Sequence, residues 1–184
     1  MAKQRPQSCL KAAETLLMLS ELETQIARFY ERLAEMFEDD QQLGAFWMHL
    51  AEDELDHADA LRSAAEQLWL TPLPLDGPLV EPALITKLVR EIHRCEERMT
   101  QHEASLDHAL YCTLLLETSE LNWIYQWLLD KLPVLWTETL RSMHDRPDDH
   151  LGRVCAVIER FGRNSTLRQQ ARALRHQWED SLTP

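Results

Sequence analysis

Carboxylate and imidazole side chains occupy positions in this chain where a helical core ordinarily holds leucine. In one segment the residues at spacings of three and four are apolar except for Glu54 and His57. Side chains at this spacing lie on one face of a helix, so the two polar groups point the same way as their apolar neighbours. The complete stripe comprises Leu43, Trp47, Leu50, Glu54, His57, Leu61, Ala64 and Leu68.

Two further apolar stripes carry carboxylates of their own. Glu23 lies in the stripe of residues 16–37, and Glu117 and Glu120 lie in the stripe of residues 106–127. An ionised carboxylate is costly to bury alone, so several of them in one core require protons, basic partners or metal cations. The pattern therefore indicates a buried polar site shared by several helices.

Composition narrows the class of protein. The chain has 184 residues, about the size of one domain, and we treat residues 1–184 as a single domain. It contains only four glycines and is rich in helix-forming residues, which favours an all-α fold. The net charge of −12 argues against nucleic-acid binding and suits a protein that collects cations.

The apolar runs, the N-terminal residues and the cysteines also predict where the protein works. No apolar run approaches the roughly 18 residues that a membrane span needs, and the N-terminal residues lack the apolar region of a secretory signal. We therefore expect a cytoplasmic protein with no membrane association. The four cysteines contain no C-x-x-C pair, and reduced thiols are the expected state. They are Cys9, Cys95, Cys112 and Cys155.

Apolar periodicity predicts four core helices joined by a long crossover, with a short C-terminal helix. Prolines exclude regular helix from residue 71 to residue 82, and a charged helix from Ala83 to Gln101 fills the rest of the crossover. Pro147 must kink or break the last core helix. The predicted spans are core helices 9–38, 41–70, 104–131 and 133–161, crossover 71–103 and C-terminal helix 165–180.

Helix geometry predicts that the carboxylate and imidazole residues of the different helices lie at the same distance along the bundle axis. Glu23 lies about 16 residues before the first turn and Glu54 about 14 after it, so at about 1.5 Å per residue both are roughly 21–24 Å from the bend. Around the second predicted turn, Glu117 and His150 lie about 15 and about 18 residues away. All four core helices are thus expected to bring a potential ligand to one place.

These residues suggest a metal site. Four carboxylates and two neutral imidazoles would be nearly balanced by two divalent cations, and mixed oxygen and nitrogen ligands suit iron or manganese better than structural zinc. We expect two iron ions, with manganese or a mixed pair as the alternative. The predicted ligands are Glu23, Glu54, His57, Glu117, Glu120 and His150.

Three segments that contain predicted ligands resemble the rubrerythrin branch of the ferritin-like di-iron carboxylate proteins. They are residues 23–30, residues 50–57 with their Glu-x-x-His, and residues 117–120, and the resemblance covers about residues 10–161. It implies a ferritin-like four-helix bundle, a non-haem di-iron centre and the reduction of peroxide or oxygen.

The chain departs from that family in two respects. Rubrerythrins carry a Glu-x-x-His in the fourth helix, whereas here Pro147 lies three residues before His150. An alignment without gaps would instead place His150 at the family's acid and Arg153 at its histidine, and Glu120 could supply the missing carboxylate. A rubredoxin-type cysteine motif is also absent, so a separate electron-donor protein is expected as a partner.

Three kinds of function fit these observations. The first is a peroxide-reducing or oxygen-reducing oxidoreductase, the second is iron handling or ferroxidation at the same site, and the third is a helical interaction module with a structural or vestigial metal site. Tyr30 is expected to serve core packing. Trp123, Trp127 and Trp136 suit a core or a subunit interface, and a homodimer is the expected assembly.

Overall fold

In the computed structural model, residues 7–70, 82–101, 105–118 and 150–181 are described. These ranges form helices and short connections and contain no strand, which confirms the all-α prediction for them. None of their helices is sufficiently long and apolar to cross a membrane. The helices are α1 Gln7–Met36, α2 Gln41–Leu70, α3 Pro82–Gln101, α4 Leu106–Glu117, α5 His150–Phe161 and α6 Ser165–Ser181.

A tight turn folds α1 and α2 into an antiparallel hairpin. Asp40 caps α2, because its Oδ1 accepts hydrogen bonds from the backbone N–H groups of Gln42 at 3.0 Å and Leu43 at 3.2 Å. Further along, the Ser20 hydroxyl donates to the Ala58 carbonyl at 2.8 Å. The two helices are therefore fixed in register near their midpoints. α2 has the predicted bounds, and α1 ends two residues before the predicted residue 38.

The hairpin buries a continuous apolar face. Leu16, Leu33 and Leu61 are at most 1% exposed, and Trp47 is completely buried with its ring 5.0 Å from that of Phe37. Burying one large apolar side chain contributes about 1.5–3 kcal/mol, so this face supplies much of the hairpin's stability. The Trp47 indole N–H also donates to the Thr113 hydroxyl at 3.0 Å and joins α2 to α4.

The crossover helix α3 packs against α1 and α4. Arg32 of α1 forms an ion pair with Glu96, and the Arg98 guanidinium lies 5.2 Å from the centre of the Tyr111 ring on α4. Buried Leu88 and Ile92 face the common core. The predicted crossover helix from residue 83 to residue 101 agrees with α3 to within one residue.

α4 is shorter than predicted. It ends at Glu117, whereas the periodicity predicted an unbroken helix from residue 104 to residue 131. Thr118 is the C-cap, and both its hydroxyl and its backbone N–H donate to the Leu114 carbonyl, at 2.7 Å and 3.0 Å. The rest of that predicted helix, and the part of the 133–161 helix before His150, lie outside the described residues.

The α5–α6 corner depends on one glycine and one asparagine. A Cβ on Gly162 would lie 2.6 Å from the Ile158 carbonyl oxygen, so only glycine fits where α5 ends. Asn164 caps α6 by accepting from the backbone N–H groups of Thr166 and Leu167.

We expect Trp47→Phe to lower the free energy of unfolding by about 2–3 kcal/mol, because it removes buried ring volume and the hydrogen bond to Thr113. Trp69→Phe is the control, since Trp69 is 39% exposed. Urea denaturation of both variants measures the difference. Equal losses would contradict the importance of the link between α2 and α4.

Candidate metal centre

Two overlapping groups of potential metal ligands lie in the core. One comprises Glu23, Glu54 and His57, and the other comprises Glu54, Glu117 and His150. Within each group, one ligand atom per residue can be chosen such that all lie within 4.8 Å of one another. The structure therefore brings together five of the six predicted ligands, and Glu54 belongs to both groups. Glu120 lies outside the described residues.

The first group is built by the α1–α2 hairpin. Glu54 and His57 are three residues apart on α2, with His57 Nδ1 3.0 Å from Glu54 Oε2. Glu23 faces them from α1 and is 1% exposed, while Glu54 is 5% exposed. His57 is partly buried at the edge of the group. The Ser20 bond to Ala58 fixes this level of the hairpin, one turn from both acids.

The second group joins α2 to α4 and α5. Glu117 and His150 are both buried, with His150 Nδ1 3.6 Å from Glu117 Oε2. The hydroxyl of buried Tyr30 donates to Glu117 Oε1 at 2.7 Å, which holds the other carboxylate oxygen. The rings of His57 and His150 lie 5.4 Å apart between centroids. The two groups are therefore adjacent parts of one polar pocket.

Asp53 and Arg153 support His150 from outside the two groups. Asp53 Oδ2 lies 3.0 Å from His150 Nε2 and accepts from Arg153 Nη2 at 2.6 Å. His150 thus presents one ring nitrogen to Asp53 and the other to Glu117. Arg153 pairs with Asp53, so it is His150 that supplies the α5 side chain of the pocket.

The charges of the pocket are coupled. Burial opposes ionisation of Glu54, but its hydrogen bond with His57 and the charges of His57 and His150 hold its pKa below the usual range. Burial also disfavours the charged form of His150, yet hydrogen bonds to Asp53 and Glu117 raise its pKa to about 10. Without metal, an imidazolium therefore lies among the carboxylates as their counter-charge.

The pKa values of Asp53 and Tyr30, which contact the ligand residues, are shifted by the same kinds of interaction. Burial favours the neutral form of Asp53, but hydrogen bonds from His150 and Arg153 prevail and lower its pKa to about 2. Burial and the nearby charges of Glu117 and Glu54 raise the pKa of Tyr30 well above its usual value. Tyr30 therefore stays a neutral hydrogen-bond donor, and Asp53 stays an anionic acceptor.

The sequence matches no protein-family model, no curated protein and no solved structure. The resemblance to rubrerythrins accordingly remains a hypothesis drawn from residues 23–30, 50–57 and 117–120. The geometry of the carboxylates and imidazoles is the evidence for a site.

Substitution of the shared acid should affect both metal positions. The wild-type protein is expected to bind about two metal ions per chain. We expect Glu54→Gln to lose both ions, whereas Glu23→Gln and Glu117→Gln should each lose one. Elemental analysis of iron-loaded protein measures the content. Glu96→Gln is the matched control, because Glu96 is a partly exposed acid three residues from His93 and forms the same kind of pair at 3.3 Å. A Glu54→Gln protein with full metal content would show that Glu54 is not shared.

The metal-free protein should show a pH dependence that comes from His150. Its folded pKa of about 10 exceeds the unfolded value of about 6.5, so its stabilising contribution is complete below about pH 6.5 and is lost as the pH rises through about 10. Urea denaturation of chelator-treated protein between these pH values measures the loss. His150→Gln should remove this component, and Asp53→Asn should shift it to lower pH. Parallel curves for wild type and His150→Gln would contradict the assignment.

Proposed function

We propose that this protein is a non-haem di-metal protein that reduces peroxide or oxygen in the manner of rubrerythrins. The observation that carries the proposal is the position of Glu54 in both ligand groups, because a carboxylate shared by two groups can bridge two cations. Two ions in adjacent positions are the arrangement that multi-electron chemistry with peroxide or oxygen uses.

The donor set fits iron. The two groups offer carboxylate oxygens and imidazole nitrogens and include no cysteine, a combination that suits iron or manganese better than a structural zinc ion. Glu54 is held in its ionised form, as a ligand must be. Glu23, Glu54 and His57 would hold one ion, and Glu54, Glu117 and His150 would hold the other.

The protein would position and shield the ions. Bound iron would supply the electron exchange with peroxide or oxygen. The Tyr30 hydroxyl fixes one oxygen of Glu117, and Asp53 fixes the ring of His150. Glu23, Glu54, Glu117 and His150 are each at most 6% exposed, so bulk water is excluded from most of the pocket.

The proposal extends to architecture and partners. α1, α2, α4 and α5 each contribute a side chain to the pocket, and we take them as the ligand-bearing helices of a ferritin-like bundle with α3 in its crossover. A separate electron-donor protein would complete the catalytic cycle, and the assembly would be a homodimer.

Purified protein loaded with ferrous iron under anaerobic conditions should contain about two ions per chain and should consume added peroxide when a reductant is present. Elemental analysis and a peroxide electrode measure the two quantities. His57→Ala should lower both, whereas His93→Ala should change neither, because His93 lies on the exposed face of α3.

Two outcomes would redirect the proposal. A reproducible metal content near zero would exclude a metal centre and favour a helical interaction module. Full metal content with ferrous oxidation, no peroxide turnover and assembly into a hollow shell would favour iron storage at the same residues.

A further inference from the structure

An open groove with acids on its rim lies beside the turn between α1 and α2. It has a volume of about 350 Å³, and exposed Glu35 and Glu38 line it. Its apolar wall includes Met48, which is 42% exposed. The other apolar residues of this wall are Ala34, Gly44 and Ala45. We refer to these six residues as the acidic groove, which offers a partner both an apolar surface and two carboxylates.

The corner between α5 and α6 carries the opposite charge. Arg160 and Arg163 are exposed there, and we refer to these two residues as the arginine corner. Six arginines and one acid lie between residues 153 and 177, whereas fourteen acids and four lysines or arginines lie between residues 7 and 70. The chain is therefore strongly polarised, and its positive part complements its own negative part.

Contacts between α2 and α4 show which way α4 runs. Glu54 and Glu117 lie at one level, because they belong to the same ligand group. Trp47 is seven residues nearer the α1–α2 turn than Glu54, and it donates to Thr113, which is four residues nearer the start of α4 than Glu117. α4 therefore begins at the end of the molecule where α1 and α2 turn.

The arginine corner is attached at that same end. Asp107 lies six residues before Thr113, about 9 Å further along α4, and Trp47 lies seven residues after Asp40, about 10 Å from the turn. Asp107 is thus nearly level with the turn. Its Oδ1 accepts from the backbone N–H of Arg163 at 2.7 Å. The acidic groove and the arginine corner consequently share one end of the molecule.

We propose that this end of the molecule is the interface of a two-fold symmetric homodimer, in which the arginine corner of each copy binds the acidic groove of the other. A two-fold axis requires that if one patch contacts a second, the second also contacts the first, and two complementary patches at one end satisfy this condition. The interface rests on the homodimer included in the proposed function and assigns surfaces to it, without using the metal chemistry.

Arginine suits a groove of this composition. Its apolar stem can lie along Met48 and Ala45 while its guanidinium pairs with Glu35 or Glu38. A single exposed ion pair contributes little, but the symmetry axis duplicates each pair, and the apolar wall removes part of the surrounding water. A second copy therefore supplies the chemistry that the groove can bind.

The net charge of each copy opposes association at long range. With a charge of −12 per chain, two copies repel each other in dilute salt. At about 0.15 M salt the screening length is about 8 Å, which weakens repulsion between distant faces but preserves pairs in contact. At about 1 M it is about 3 Å, and the pairs weaken as well. The dimer should therefore be favoured near 0.15 M salt.

Sedimentation velocity of the metal-loaded protein at about 0.15 M salt tests the interface with two charge-reversed variants. One is Glu35→Lys with Glu38→Lys, and the other is Arg160→Glu with Arg163→Glu. Each variant places like charges opposite each other in a dimer, so its dissociation constant should rise at least about tenfold above that of the wild type. An equimolar mixture of the two should form a heterodimer, because both of its contacts then pair opposite charges.

A matched control separates local pairing from the change in net charge. Glu14→Lys with Glu21→Lys makes the same change in charge as the groove variant, at exposed positions of α1 distant from the turn. This control should remain a dimer. Circular dichroism and elemental analysis should show that every variant is folded and keeps the wild-type metal content.

Several outcomes would overturn this interface. They are a monomeric wild-type protein, dimers that persist in both charge-reversed variants, an open-ended assembly of larger size, and a mixture of folded variants that stays monomeric. Each of these outcomes, accompanied by normal metal content and peroxide turnover, leaves the proposed di-metal chemistry intact. Conversely, a dimer that responds to both charge reversals but binds no metal would support the interface and overturn that chemistry.

Discussion

The burial of the Glu54 carboxylate is the constraint on which the surrounding structure depends. A buried charge that loses its partners costs several kcal/mol, so the fold must supply positive charge or hydrogen-bond donors around it. His57 does so from the same helix, and His150 does so from α5. Asp53 and Tyr30 then hold neighbouring groups in place. The pocket is a set of mutually dependent charges, which is why its members come from four helices.

The parts of this arrangement that are local in the chain could be predicted. Helical periodicity alone places Glu54 beside His57, because residues three apart share a face. Because the turn at Asp40 is short, residues equally far from it on α1 and α2 lie side by side. Glu23 could therefore be matched to Glu54 by counting residues from the turn. The bounds of α2 followed from the same pattern, since its apolar stripe continues without interruption to Leu68.

The remaining features depend on contacts between distant segments. Asp53 lies one position away from the stripe, and nothing in the sequence indicated that His150 and Arg153 would pack against it. Tyr30 was expected only to fill the core, but it also donates to Glu117. The end of α4 at Glu117 was missed because the apolar stripe continues beyond that residue in the sequence.

The two ligand groups differ in how far apart their members lie along the chain. Glu23, Glu54 and His57 all belong to the α1–α2 hairpin, whose closure involves a short loop and little entropy. The group that includes Glu117 and His150 exists only after distant helices have docked. One half of the pocket can therefore form early in folding, and an ion captured there would favour the docking of the helices that complete the other half.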